Sequence, residues 1–337
     1  MHFFFRLGLN LIKLRNATLF FSTIFFIILC TVVMYLLEPD NFENLLNTFY
    51  YVMTTFSTVG YGDYSPITLA GKMVSVLMYI IGIGLLGVVI GKVLDAFSIF
   101  RRNREEGRMD YTNEQHIIII GWGNKTKSAV KEILKSDDTT EVVILDNLPK
   151  SPIDIGLDRV SYIQGDATDE ATLQKANISK AKSVIIFSDD KIQEPSLRDA
   201  KTLTTAIVVE RLAPAVHTTV EVLTEKQTVN FSHVNVDEFI LSQETISSLA
   251  VRSAMYKGVS KIYSQLLSRQ QGEDLFKVPK KEGWITYRDA FTELLDNGAT
   301  LIADGEQLDI NRRLDEKIPG DAVLYIICDE ETYGKII

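Results

Sequence analysis

Two uncharged apolar runs, Ala17 to Leu37 and Met73 to Gly91, constrain this 337-residue chain more than any other feature. Each is long enough as a helix to cross roughly 30 Å of hydrocarbon. The first does not end like a secretory signal, because Tyr35-Leu36-Leu37-Glu38-Pro39 stands where small residues would mark a cleavage site. Arg6, Lys13 and Arg15 precede the first run, and Lys92, Arg101, Arg102 and Arg104 follow the second; the segment between carries Glu38, Asp40, Glu43 and Asp63. Basic flanks stay on the cytoplasmic side. The pattern therefore predicts a multi-pass protein of the cell membrane with both termini cytoplasmic and a cytosolic part beyond Arg101. Residues 1–108 hold 9 Lys and Arg against 7 Asp and Glu, and the remainder 26 against 37. That acidic balance argues against a nucleic-acid partner. Cys30 and Cys328 have no metal or disulfide spacing around them and read as packed apolar residues.

Between the spans, Asn47 to Phe56 is aromatic and semi-apolar but too short to cross, so it reads as a re-entrant helix. Thr54-Thr55-Phe56-Ser57-Thr58-Val59-Gly60-Tyr61-Gly62-Asp63 follows it. Irregular backbone at membrane depth survives only where protein buries it or water lines it. Glycines at alternate positions permit the backbone angles that would let successive carbonyls replace an ion's hydration shell. From Ala17 to about Phe100 the chain resembles the two-transmembrane potassium channels. The resemblance implies a filter of Thr58, Val59, Gly60, Tyr61 and Gly62 and four copies around one axis. K+ would be held at Thr58, Val59, Gly60 and Tyr61, with the Thr58 hydroxyl and carbonyl both facing the innermost site. Gly82 matches the family's gating hinge by its distance from the filter; Gly84, Gly87 and Gly91 fit either a hinge or close helix packing. No Arg-rich extra helix accompanies the spans, so voltage sensing is not expected.

Phe97 to Asp110 is short and highly charged and reads as a solvated linker that transmits force. Beyond it, His116 to Ile120, Glu141 to Leu145, Val160 to Gln164 and Val184 to Phe187 are short apolar strands. They alternate with helices near Lys125 to Lys135, Glu170 to Ala176 and Ser196 to Leu212. Such alternation builds a doubly wound parallel sheet. Gly121-x-Gly123 at the end of the first strand, with Asp146 lying 23 residues beyond Gly123, fits a dinucleotide-binding turn. Backbone amides near Asn124 would hold phosphates, and Asp146 would accept hydrogen bonds from a ribose diol while repelling a 2′-phosphate. Thr126 replaces the third glycine. An empty Rossmann cleft is the alternative.

Gly165-Asp166-Ala167-Thr168 closes the third strand, and with the features above it resembles the RCK (KTN) domain over roughly His116 to Leu241. The resemblance places Asp166 and Ala167 near an adenine. It also makes the helices from Ser242 to Lys257 and Val259 to Ser268 a crossover forming a dimer interface, and the strands near Leu275 to Val278, Thr300 to Ala303 and Ala322 to Cys328 a small C-terminal lobe. The expected architecture is a membrane α-helical pore (two spans plus a re-entrant helix) joined to a cytosolic α/β Rossmann-like RCK domain with a small α/β lobe. Its divisions are 1–96 for the pore, 97–115 for the linker, 116–241 for the Rossmann-like lobe, 242–270 for the crossover and 271–337 for the last lobe.

Nucleotides with a free ribose, NAD(H), ATP or ADP, are the expected regulatory ligands. A divalent site is a second expectation, at Asp189 and Glu221, although Leu223 removes one carboxylate of the family's calcium site. Asn311-Arg312-Arg313 is a surface turn or a contact for further phosphates. Met109 lies just after Glu105-Glu106-Gly107, whose codons are purine-rich, and reads as a possible internal start. Soluble copies made from it would complete an octameric ring of RCK domains. The chain is not expected to be an enzyme. A membrane-anchored NAD-dependent oxidoreductase would leave Thr58 to Gly62 unexplained, as would a regulatory subunit of a potassium transporter.

Overall fold

The computed structural model describes residues 16–153, 158–267 and 272–337. Arg6, Lys13 and Arg15 lie outside the described residues, as does Ser268 at the end of the expected crossover. The chain divides into two units, Met1–Asn103 and Arg104–Ile337.

In the first unit, α1 (Asn16–Leu37) and α3 (Leu69–Glu105) are the two apolar helices, and α2 (Leu45–Phe56) lies between them in sequence. Asn44 caps α2 by accepting from the Asn47 amide at 2.8 Å. Cys30 and Met34 of α1, Phe42, Tyr51, Val52 and Phe56 around α2, and Met78 of α3 form one buried cluster. Inside it the Tyr51 hydroxyl meets Ser75 Oγ at 3.0 Å and the Tyr79 hydroxyl at 2.9 Å, which ties α2 to α3. Helix α3 runs on to Glu105, so the stretch expected as a solvated linker from Phe97 begins as helix. From Phe97 to Glu106 the chain has no Gly or Pro to interrupt the helix.

A carboxylate at the end of α1 organises the start of α3. Glu38 is 4% exposed. It accepts from the Ile67 amide at 2.9 Å, the Thr68 amide at 2.8 Å, the Thr68 hydroxyl at 2.7 Å and Asn41 Nδ2 at 2.9 Å. The Thr68 hydroxyl oxygen in turn accepts from the Gly71 amide at 3.0 Å. A negative charge here neutralises orphan amides and the positive end of the helix dipole. Position 71 must be glycine, since a Cβ there would sit 2.1 Å from Glu38 Oε1.

In the second unit, six parallel strands lie in the order β3-β2-β1-β4-β5-β6. They are β1 (Ile117–Ile120), β2 (Val142–Asp146), β3 (Val160–Gln164), β4 (Ser183–Ile186), β5 (His217–Val222) and β6 (Glu238–Leu241). The sheet is buried on both sides, as a parallel sheet must be. Ile118 and Ile120 join one core with Val143, Leu145 and Ile186, and Ile119 joins the other with Val142, Ile144 and Tyr162. Helices α4 (Asn124–Ser136), α5 (Glu170–Lys175) and α6 (Pro195–Leu212) connect the strands. Helices α7 (Ser242–Met255) and α8 (Val259–Leu267) follow, and neither buries a residue. The last lobe pairs β7 (Asp274–Val278), β9 (Leu324–Cys328) and β8 (Thr300–Asp304) antiparallel in that order, with α9 (Tyr287–Asp296) packed on Trp284, Leu301 and Leu324. Both cysteines are buried and free.

His116, just before β1, is fully buried; its Nε2 lies 2.9 Å from the Ala176 carbonyl, while Nδ1 has no partner. Burial holds its pKa below the usual value. Below about pH 6.5 the unfolded chain therefore binds a proton that the folded one refuses, and stability falls as pH drops. Thermal unfolding in detergent should show a decline between about pH 6.5 and 5, reduced in His116→Phe. For the outer clamp, Glu38→Ala should lower the melting temperature by several degrees, as expected for a loss of about 1.5–3 kcal/mol, and the exposed Asp40→Ala should not.

Candidate functional site

The segment after α2 is built on the carbonyl end of that helix. The Ser57 amide donates to the Met53 carbonyl at 2.9 Å and the Thr58 amide to the Thr55 carbonyl at 3.1 Å; the Val59 and Gly60 amides both donate to the Thr54 carbonyl, at 2.9 and 3.1 Å. Thr58, Gly60 and Gly62 have φ of +61°, +54° and +78°, and Val59 and Tyr61 between them do not. Alternating hand turns successive amides to one side of the strand and successive carbonyls to the other. Thr58 holds the left-handed region although β-branched, a strain of about 1–3 kcal/mol that points to function. Its hydroxyl donates to the Ser57 carbonyl at 2.7 Å. Tyr61 stacks on Tyr50 with ring planes within 1° and centroids 6.4 Å apart. In one chain Val59 is 53% and Tyr61 71% exposed.

Gly82 is buried against the end of α2, where a Cβ would lie 2.9 Å from Phe56 Cε1. Gly84, Gly87 and Gly91 meet nothing within 4 Å in the chain. Thr54, Thr58, Gly60, Gly82 and Ile83 line a cavity of 410 Å³.

The second site lies at the carboxyl ends of the strands, where β1 and β4 turn to opposite sides of the sheet. A cavity of 230 Å³ is lined by Gly121, Asp146, Gly165, Asp166 and Ala167, among others. Gly121 turns the chain at φ +93°, and Gly123 is the residue before α4, which starts at Asn124. Thr126, in place of a third glycine, is buried and donates through its hydroxyl to the Gly121 carbonyl at 2.5 Å, so it braces the turn. Asp146 accepts from the Trp122 amide at 2.8 Å, which fixes the carboxylate beside the glycine turn. The Lys191 ammonium also reaches it at 3.1 Å. Lys191 is 55% exposed, and so mobile an ion pair is weak competition for a ribose diol. Asp166 accepts from the Thr168 amide and hydroxyl, both at 2.9 Å. The Thr168 amide holds its carboxyl below the usual range, against the opposing effect of burial.

Asp189 and Glu221, expected as cation ligands, do not converge on a cation site. Asp189 pairs with Lys201 at 2.8 Å; burial raises its pKa, but Lys201 and the Lys191 amide bring it below the usual value. Glu221, 3% exposed, accepts from Lys125 at 2.8 Å and from the Ser188 amide at 2.9 Å, and Lys125 also pairs with Asp190 at 3.0 Å. Each of the two carboxylates is already paired with a lysine ammonium. Among the described residues no group of three or more His, Cys, Asp or Glu is placed to hold a metal. Sequence spacing could not reveal Lys125, because it comes from α4, 96 residues before its partner. Arg313 is likewise committed, pairing with Asp309 at 2.8 Å and lying 5.0 Å over the Tyr287 ring.

Both parts of the chain match known families. Residues 18–98 match the ion channel family Ion_trans_2, and residues 117–242 match the TrkA-N domain. The chain is 31% identical over 285 residues to YugO of Bacillus subtilis, whose name assigns it provisionally to the potassium channels; the match covers 82% of this chain and 85% of YugO. It is 29% identical to TvoK of Thermoplasma volcanium, named a calcium-gated potassium channel, over 70% of this chain and 67% of TvoK. Among solved structures, the GsuK channel aligns over 94% of this chain and 58% of its own, with TM-score 0.51 and 14% identity. The human SLO3 gating ring aligns over 66% and 46%, with TM-score 0.52 and 14% identity. The chain spans about half the length of these two solved structures, and the likeness shows the shared fold. A pore segment of alternating backbone hand between two apolar helices, followed by a parallel-sheet TrkA-N domain, thus places the chain in the family of potassium channels that carry an RCK regulatory domain.

Proposed function

We propose that four copies of the chain form a K+-selective pore in the cell membrane, with both termini cytoplasmic, whose opening is set by a nucleotide bound to the RCK domain. The observation that carries this reading is the alternation of left-handed Thr58, Gly60 and Gly62 on the end of α2. One chain offers one strand of carbonyls and leaves Val59 and Tyr61 exposed; a ring of such strands replaces the ion's water and covers them. Gly82 serves as the hinge: without a side chain it lets α3 pass the Phe56 ring, so bending there moves the pore lining beneath the filter.

The ligand class follows from Asp146 at the glycine turn, which suits a free ribose diol: NAD(H), ATP or ADP. TvoK is named for calcium, but in this chain Lys125 and Lys201 neutralise Glu221 and Asp189, which favours a nucleotide. Ligand acts by binding the open and closed assemblies with different affinity, and needs no chemistry performed on it. Helices α7 and α8 present Ile246, Val251, Met255, Ile262, Tyr263 and Leu267 exposed, an apolar face suited to pairing with a second RCK domain. Soluble copies begun at Met109 would bring the ring under the four-chain pore to eight RCK domains.

Purified protein in liposomes should pass K+ at least about tenfold faster than Na+, with a flux altered by ADP, NADH or ATP; no flux under any of them, or equal Na+ flux, overturns the reading. Asp146→Asn keeps an acceptor for Trp122 but loses the charge. It should weaken ADP binding about tenfold in titration calorimetry, as expected for about 1.4 kcal/mol.

A further inference from the structure

The chain that leaves α3 does not hang free before β1. At its first turn beyond the helix, Gly107 is buried at φ +61° against the edge strand β3. The Gln164 amide donates to the Gly107 carbonyl at 3.0 Å, and the Ser151 amide donates to the Glu105 carbonyl at 2.6 Å. A Cβ on Gly107 would lie 2.5 Å from the Gln164 nitrogen and 2.7 Å from Tyr162 Cδ1, so no other residue fits without displacing the strand.

The groups that receive this turn adjoin those that line the nucleotide cleft. Gln164 is bonded to Gly165, which lines it together with Asp166 and Ala167. The Tyr162 ring lies against Gly107, and its hydroxyl reaches the carbonyls of Asp146 at 2.8 Å and Leu148 at 2.7 Å. The Gly165 amide donates to the same Asp146 carbonyl at 3.1 Å. One peptide unit therefore separates the residues that would hold a ribose and adenine from the residues that hold the tail of the pore-lining helix.

We infer that this dock of Glu105 and Gly107 on the end of β3, rather than the covalent path through residues 108–115, carries ligand occupancy to α3, with Gly107 the positioning residue. The inference rests on the nucleotide-gated reading above and adds the route. A ligand that shifts the β2 and β3 ends moves Gln164 and Tyr162, and the helix tail moves with them because its carbonyls are bound there. The warrant is one element that both sites bias.

Three variants of the full-length channel in liposomes test it, with ADP, NADH and ATP as probes. Gly107→Ala places a side chain in the left-handed region and in occupied space. Ser151→Pro deletes the amide donated to Glu105, along with a hydroxyl that bonds only within its own turn, to Ile153 at 3.3 Å. Insertion of Gly-Gly between the exposed Met109 and Asp110 slackens the covalent path and leaves the dock intact. Gly107→Ala should keep ADP affinity within about twofold while the ligand-dependent change in K+ flux shrinks at least about fivefold; Ser151→Pro should shrink it about twofold or more, and the insertion should leave it unchanged. A full response in both Gly107→Ala and Ser151→Pro overturns the inference, as does loss of response on insertion. If Gly107→Ala does not assemble, Ser151→Pro and the insertion decide alone. A wild-type channel that conducts K+ but answers none of the probes defeats the nucleotide-gated reading instead. The dock is then judged from basal flux: a change of about threefold or more in Ser151→Pro with none on insertion supports it, and equal flux in all variants overturns it.

Discussion

Everything in the membrane unit depends on one demand: backbone amides and carbonyls at bilayer depth must find partners that water does not supply. Residues 57–62 meet it by leaning on the carbonyl end of α2, where Thr54 alone accepts two amides. The outer return of the chain meets it through the Glu38 carboxylate, which takes up the amides of Ile67 and Thr68. The amides of residues 57–60 are taken up by α2, and in the proposed filter the alternating hand at Thr58, Gly60 and Gly62 would leave the carbonyls for an ion. Filter chemistry would then be the remainder of a hydrogen-bonding problem solved elsewhere.

The cytosolic unit answers a different pressure. A strongly acidic domain with several carboxylates near the strand ends would collect divalent cations unless they were answered internally. Lys125, Lys191 and Lys201 answer Glu221, Asp146 and Asp189 respectively. The Glu221 pair is a fixed part of the fold, since removing Lys125 strands the buried Glu221 charge out of water. The exposed Lys191 contact is of the other kind and can be exchanged for a ligand. In the proposed nucleotide site, which of these ion pairs is rigid would decide where a ligand can enter.

Much of this was legible in the sequence. Apolar length gave both membrane helices, Val160 to Gln164 was read with its observed limits, and the Gly121, Gly123 and Asp146 spacing located the cleft the structure contains. Local patterns suffice there because a buried parallel strand and a glycine turn each declare themselves within a few residues. What could not be read involved partners distant along the chain. Glu38 looks like the polar end of a span until Ile67 and Thr68 fold onto it, 29 and 30 residues away. Gly107 looks like linker punctuation until Tyr162 closes over it. Asp189 and Glu221 read as metal ligands because Lys125 and Lys201 carry no signal of their destination.

The continuity of α3 has a mechanical consequence. Its 37 residues extend about 55 Å, nearly twice the roughly 30 Å of hydrocarbon, so the helix is far longer than a single crossing requires. A rod of that proportion is a lever, and its compliance is concentrated where side chains are missing, at Gly82, Gly84, Gly87 and Gly91. Under the proposed gating, the stiffness of those four positions would set how much of a binding event arrives at the filter as motion and how much is lost as flexing on the way.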